Sequence, residues 1–282
     1  QLGRHKKITI LITPLRTGAI GYYNPLDKFS SDIYPFSNGK PIIYIGTDLL
    51  AYPGRFMEVL AHEMQHLIHF SQDPTEESWI NEGLSELAAT YANDSITPHS
   101  LDLNNSHSLT RWSNPKNLHA YYRLSHSFFG YLFHTYQLTE KLENLVNEQT
   151  DGILGINQFL GTIDPSLSFV GAFLEWARWR LINVLDEHEG PGSDSVNARD
   201  VGGIRGIGPF GVTFAEIAPF ASHYFELTIN PGETIVEFDG PAESMRIPTT
   251  PPGDGSCWWS NYGDSIHSRM FGSFDLRRTP TA

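Results

Sequence analysis

The stretch VLAHEMQHLIHF, Val59 to Phe70, decides how the rest of the chain is read. With Phe56 just before it, its apolar residues (Val59, Leu60, Met64, Leu67, Ile68) recur mostly at three- and four-residue steps, the period of one buried helix face. Pro53-Gly54 marks the start of that helix and Asp73-Pro74 its end. Inside the run stand His62, Glu63 and His66. Residues four apart on a helix lie one above the other, so the two imidazoles can present nitrogens to one point, about 2.0–2.1 Å from a zinc ion. Glu63, turned roughly 100° from His62, is poorly placed as a ligand but can reach a water at the metal. Two imidazoles from one face and a carboxylate beside the water are what a zinc hydrolase needs. Chance alone produces His-Glu-x-x-His in roughly 3% of chains of this composition. Its place on an apolar helix strengthens the reading, because unpaired imidazoles and a carboxylate are costly to bury and a metal offsets that cost.

A catalytic zinc site wants three protein ligands and one open position. The third can come from His69, from a later Glu or Asp, or from a distant residue. His69 follows His66 by three residues, and helix geometry disfavours it because it sits too far along the axis to complete a tetrahedron. Glu82 in WINEGLSE is the better candidate. Residues 67–81 leave room for the first helix to end, the chain to reverse, and a second helix, from about Glu76 to Ala92, to bring a carboxylate back. Glu86, one turn later, is positioned to accept a hydrogen bond from the non-metal nitrogen of His62, the outer partner that metal-bound histidines usually need.

The remainder of the chain supplies a frame. KITILITPL and PIIYIGTDL read as strands, with NPLDKFSSD and FSNGK as turns between them. The apolar run Ile8–Ile12 is too short for a signal-peptide core, so the start reads as a strand of a mature or trimmed chain. A polar stretch follows the second helix. Helical patterns then return at LHAYYRLSHSFFGYLFHTYQL, EKLENLVNE and SFVGAFLEWARWRLINVLD. HYFELTI, ETIVEFDG and FGSFDLRR read as short strands. The expected organisation is an α+β domain over residues 1–187, a Gly-rich linker over 188–205 and a small β domain over 206–282.

Composition narrows the partners. Hydrophobic residues make up 40% and charged residues 18%, a globular balance. Lys and Arg total 19 against 32 Asp and Glu, a formal net charge of −13 that repels nucleic acid and anionic membranes. No apolar run is long enough to span a bilayer. The single cysteine, Cys257, excludes an intramolecular disulfide and leaves the compartment open.

HEMQH followed by WINEGLSE resembles the gluzincin metallopeptidases, and more closely their hyicolysin-like branch, in which an Ala-His-Glu-x-Gln-His helix precedes a Trp-x-Asn-Glu helix. LTRWSNP and HSFFGYLF also resemble blocks of that branch. The resemblance covers roughly residues 40 to 185. It implies a zincin-like catalytic domain, an N-terminal sheet followed by helices, with Zn2+ held by His62, His66 and Glu82, Glu63 as general base and Glu86 behind the ligands. It also implies a secreted peptidase acting on protein or peptide substrates; no feature that would capture a free amine is evident, which favours an endopeptidase, and strand addition would lay an extended substrate along an edge strand near PIIYIGTD. Where related sequences have His-Tyr-Gly, this chain has His126-Ser127-Phe128. His126 is the preferred oxyanion donor, with Tyr121, Tyr122 and Tyr131 behind it. The tail CWWSNYGDSIHSRMFGSFDL resembles the β domain of immune-inhibitor-A-type metallopeptidases, a small β-sandwich-like domain in which Trp258 and Trp259 are expected as core packing; a longer precursor or a trimmed chain is consistent with where it stops. The alternative from another class is a catalytically inactive zinc-bearing module that binds protein or carbohydrate.

Overall fold

Strand-forming sequence gives way to helix at Pro53, and that change sets the architecture of the first half of the chain. The computed structural model describes residues 7–16, 18–92, 107–188, 204–207, 219–227, 235–237, 257–261 and 273–275, and the fold is mixed α+β. Three strands, β1 (Thr9–Thr13), β2 (Gly21–Tyr23) and β3 (Ile42–Gly46), form a sheet in the order β1-β3-β2. β1 runs parallel to β3 and β2 antiparallel to it. β3 is buried along its whole length and hydrogen-bonded on both sides. The peptide-binding edge expected at PIIYIGTD is therefore corrected. Ile42–Gly46 has no free edge, and β2, a strand of three residues too short to show alternation in sequence, is an edge instead.

Among the described residues six α-helices follow: α1 (Pro53–Gln72), α2 (Ser78–Ala92), α3 (Leu118–Thr135), α4 (Leu142–Val146), α5 (Gly152–Ile163) and α6 (Phe169–His188). Pro53 opens α1, where a missing N–H costs nothing. Val59 and Leu67 of α1 pack with Ile43 and Ile45 of β3 and with Leu49, flanked by Phe56, Leu60 and Met64. Ile68, expected on the same face, is 40% exposed, because it lies about 100° round the helix from Leu67. α2 begins at Ser78, two residues later than expected. Thr75 N–H and Oγ–H both bond Asp73 Oδ1, holding the chain in a turn before the helix.

The side of α2 away from α1 is apolar and aromatic. Trp79 stacks on Phe129 with ring centroids 5.7 Å apart and also meets Phe128 and Phe169 at 6.1 and 5.6 Å. Gly83 lets α2 approach α3 closely, since a Cβ there would meet the Phe129 ring and lie 3.0 Å from Ser125 Cβ. Phe169 is tied in turn to α5, its N–H donating to Asn157 Oδ1 at 2.8 Å.

The chain divides into two compact units, residues 1–99 with 116–169 and residues 100–115 with 170–282. The division falls at the start of α6, whereas the expected boundary stood at its end. In the second unit β4 (Ile204–Ile207), β5 (Ala221–Leu227) and β7 (Cys257–Asn261) form one sheet in the order β4-β5-β7. β6 (Ile235–Glu237) and β8 (Ser273–Asp275) form an antiparallel pair. Trp258 stands opposite Tyr224 in the backbone register, and the core packing expected of Trp258 and Trp259 lies outside the described side chains. LTRWSNP belongs to this unit, where Leu109 N–H bonds Phe220 O at 2.8 Å. The expected linker lies, apart from its ends, outside the described residues, as does most of the polar stretch after α2. Among the described residues no helix is long and apolar enough to cross a membrane.

Replacing Gly83 with Ala is expected to destabilise the protein by about 1–3 kcal/mol, the cost of overpacking a filled core. A urea melt that leaves the midpoint unchanged would show that Phe129 has room to yield.

Candidate metal centre

Two helices placed side by side bring together residues that are distant in sequence. Ser85 Oγ donates to Gln65 Oε1, His66 meets Asn81 and Glu82, and His62 meets Glu82 and Glu86. Rising numbers on α1 pair with falling numbers on α2, so the helices are antiparallel.

Three atoms of this contact face one another. His62 Nε2 and His66 Nε2 are 3.0 Å apart, and Glu82 Oε2 lies 3.4 Å from the first and 3.3 Å from the second. A tetrahedral zinc ion with bonds of 2.0–2.1 Å has ligand-to-ligand edges of about 3.3–3.4 Å, close to this triangle. The hydrogen bonds behind the triangle set the chemistry of its corners. His66 Nδ1 lies 2.7 Å from Asn81 Oδ1 and donates to it, which leaves the Nε2 lone pair facing inward. His62 Nδ1 lies 3.3 Å from Glu86 Oε1 and is directed likewise. Glu82 Oε2 is buried with no hydrogen-bond partner, so its contacts with the two rings are charge contacts rather than aligned hydrogen bonds. A proton can bridge one edge of such a triangle. A single cation satisfies all three corners, and the residues present therefore fit a divalent metal.

The electrostatics agree. Burial works against charge on His62, but Glu82 and Glu86 outweigh it and push the imidazole up to about 10. Burial likewise opposes charge on Glu82, and the two histidines overcome it, holding that carboxyl down at about 2. Glu63, buried beside the triad, is raised by burial and pulled back by His62 and His66. The backbone N–H of Tyr23 on β2 bonds the Glu63 carboxylate. Gly21 on the same strand permits this approach, since a Cβ there would collide with Val59 and lie 3.4 Å from Glu63 Cγ.

The other expected residues lie on α3. Burial and then Glu82, which accepts a hydrogen bond from its hydroxyl, raise the Tyr122 pKa. The Tyr122 ring centroid is 6.5 Å from that of His62. His126, one turn further along α3, is buried with Nε2 2.8 Å from Thr90 Oγ1. The Thr90 hydroxyl proton is given to Glu86 O, so Thr90 accepts from His126. His126 thus stands behind Glu86, while Tyr122 touches the triad itself. Sequence reasoning passed over Asn81, whose only signal is its place directly before Glu82. His69 is fully buried, neither solvated nor part of the triad.

Comparison with models of protein families gives no match, and neither does comparison with curated proteins.

Removing the outer partner in Asn81→Ala is expected to weaken ion binding about 10–100-fold, read by competition with a chromogenic chelator. The pH dependence has a definite sign. With no metal bound, the stability contributed by charged His62 is complete below its ordinary 6.5 and is lost as pH rises towards 10. Ion binding needs the neutral ring, so affinity runs the other way, strengthening by about tenfold per unit as pH rises through neutrality. Calorimetry in two buffers of different ionisation enthalpy is expected to show about one proton released per ion bound. No release would mean that His62 is already neutral.

Proposed function

We propose that the chain is a zinc-dependent endopeptidase of the gluzincin kind, with a zincin-like catalytic domain and a small C-terminal β-sandwich-like domain. The observation that carries this is the triangle of His62 Nε2, His66 Nε2 and Glu82 Oε2, with edges of 3.0–3.4 Å, beside the buried carboxylate of Glu63. Two imidazoles and a carboxylate, with a further carboxylate beside them as base, are a donor set that hydrolytic zinc uses. Secretion and action on protein substrates follow from the resemblance of HEMQH and WINEGLSE to that group.

His62, His66 and Glu82 hold the ion, and Asn81 and Glu86 orient the two rings through their Nδ1 protons. Bound zinc supplies Lewis acidity, making water a stronger acid and polarising a peptide carbonyl. Glu63, its pKa raised by burial, accepts the proton of the attacking water and gives it to the leaving amine nitrogen. Tyr122 keeps its proton because burial and Glu82 raise its pKa, and its hydroxyl turns from Glu82 to donate to the oxygen that gains negative charge. His126 acts as a positioning residue behind Glu86. The edge strand β2, whose Tyr23 lies against Glu63, takes the strand-addition role for an extended substrate.

Glu63→Gln is expected to retain zinc and lose about 10²–10⁴-fold in casein turnover, the usual share of a general base. Tyr122→Phe is expected to lower kcat about 10²–10³-fold with little change in KM. An activity that survives chelator, or no activity from the metal-loaded wild type, would favour the inactive zinc-bearing binding module.

A further inference from the structure

His69, the third histidine of α1, is fully buried, and neither of its ring nitrogens has a hydrogen-bond partner. A neutral imidazole carries one donor and one acceptor, and interiors rarely leave both idle. Asp73, which caps α1, is buried beside it, and its Oδ2 is also without a partner. The other oxygen, Oδ1, accepts from Thr75 N and Oγ1, both at 3.1 Å, which fixes the carboxylate with Oδ2 free. The Asp73 N–H closes the helix on His69 O at 2.7 Å, so the two side chains lie one turn apart on one face. Glu76 completes the group. Its Oε1 accepts from the N–H groups of Gly152 at 2.9 Å and Glu77 at 2.6 Å. One ligand atom from each of His69, Asp73 and Glu76 lies within 4.8 Å of the other two.

We infer that His69, Asp73 and Glu76 form a second divalent-cation site, separate from the triad of His62, His66 and Glu82. The idle imidazole and the Asp73 carboxylate, one oxygen of which is idle, come within 4.8 Å of each other in the interior, where each needs a partner and a cation serves both. Two carboxylates match the charge of a divalent ion. One imidazole with two carboxylates suits an ion that takes mixed nitrogen and oxygen donors, such as zinc or manganese, where calcium prefers an all-oxygen cage. Burial, with Asp73 and Asp151 adding to it against the Gly152 and Glu77 N–H groups, pushes Glu76 up to about 7, as a carboxylate short of positive charge should behave. The ion has a structural task. It ties the last turn of α1 to the segment that leads into α2, the two helices that carry the triad, and this holds whether or not the triad is a peptidase centre.

The test is to strip the full chain with chelator, dialyse it against zinc or manganese, and count ions per chain by mass spectrometry. The wild type is expected to hold two. Glu82→Gln is expected to lose the triad ion and keep the other; Glu76→Gln and Asp73→Asn are expected to do the reverse, the second ion weakening roughly tenfold or more. Asp73→Asn keeps the Oδ1 acceptor for Thr75, so it guards against a Glu76 variant that fails to fold. A wild-type chain holding one ion, which Glu82→Gln removes, overturns the second site, as does a second ion whose affinity is unchanged in both Glu76→Gln and Asp73→Asn. Failure of the triad reading has a different signature, a count that Glu82→Gln does not alter.

Discussion

The register of α2 against α1 is the constraint on which the first unit depends. A slip of one residue turns every side chain of a helix by about 100°, so Glu82 and Glu86 face His62 and His66 in one alignment only. Polar contacts hold that alignment from the front: Ser85 to Gln65 in the interior, Asn81 to His66, Glu86 to His62. Apolar packing holds it from behind, with Trp79 set among Phe128, Phe129 and Phe169, and Gly83 drawn up to the Phe129 ring. The donor triangle is thus a product of packing on both sides of α2, and the sheet enters through Tyr23, which meets Glu63 from the opposite side of α1.

α1 carries a conflict that a purely structural helix would avoid. It contributes Val59 and Leu67 to the core, yet also buries Glu63, Gln65 and His69. Each unsatisfied buried polar group costs about 1–3 kcal/mol, several times what one good contact returns. Some of these groups are answered within the chain: Glu63 by the Tyr23 N–H and Gln65 Oε1 by Ser85. Among the described residues, Glu82 Oε2 at the triad and Asp73 Oδ2 with both His69 nitrogens in the second cluster are buried without partners; Gln65 Nε2 and Ser125 Oγ are others that lie in neither. A local rule is broken where two groups of donors converge, which is where function rather than folding dictates residue choice. An ion held at either cluster would couple its binding to the folding of the hairpin.

Long periodic elements and the spacing of chemical groups were legible in the sequence; short or unusual elements were not. α1 could be read because Pro53 and Asp73-Pro74 bracket a clear period, and Glu82 because a turn of the right length separates it from His66. β2 could not, since three residues show no alternation and its existence depends on pairing with β3. α5 was missed because GILGINQFLGTI holds three glycines, which weaken a helical reading, although its buried residues do gather on one face. Spacing placed His69 near the His66 face, but three residues bring a side chain back about 60° short of a full turn, and that offset turns it to the buried end of the hairpin. The division of the chain at the start of α6 was likewise invisible, because no change of composition marks Phe169.

The element that sequence missed buttresses the element that matters most. Gly152, at the start of α5, has φ of +68°, a left-handed conformation that side-chain-bearing residues rarely adopt. A Cβ at this position would also run into the Glu77 carboxylate. That carboxylate accepts from Trp79 Nε1 at 2.7 Å, while the Gly152 N–H donates to Glu76. Nearby, Gln149 Nε2 donates to Gln72 O, and the Thr75 hydroxyl, which also faces Asp73 Oδ1, lies 3.1 Å from Asp151 Oδ1, so residues 149–152 hold the turn between α1 and α2 through three polar contacts. The turn sets where α2 begins, and where α2 begins sets which way Glu82 points. Gly152 therefore governs the metal triad through the backbone, with no side chain of its own.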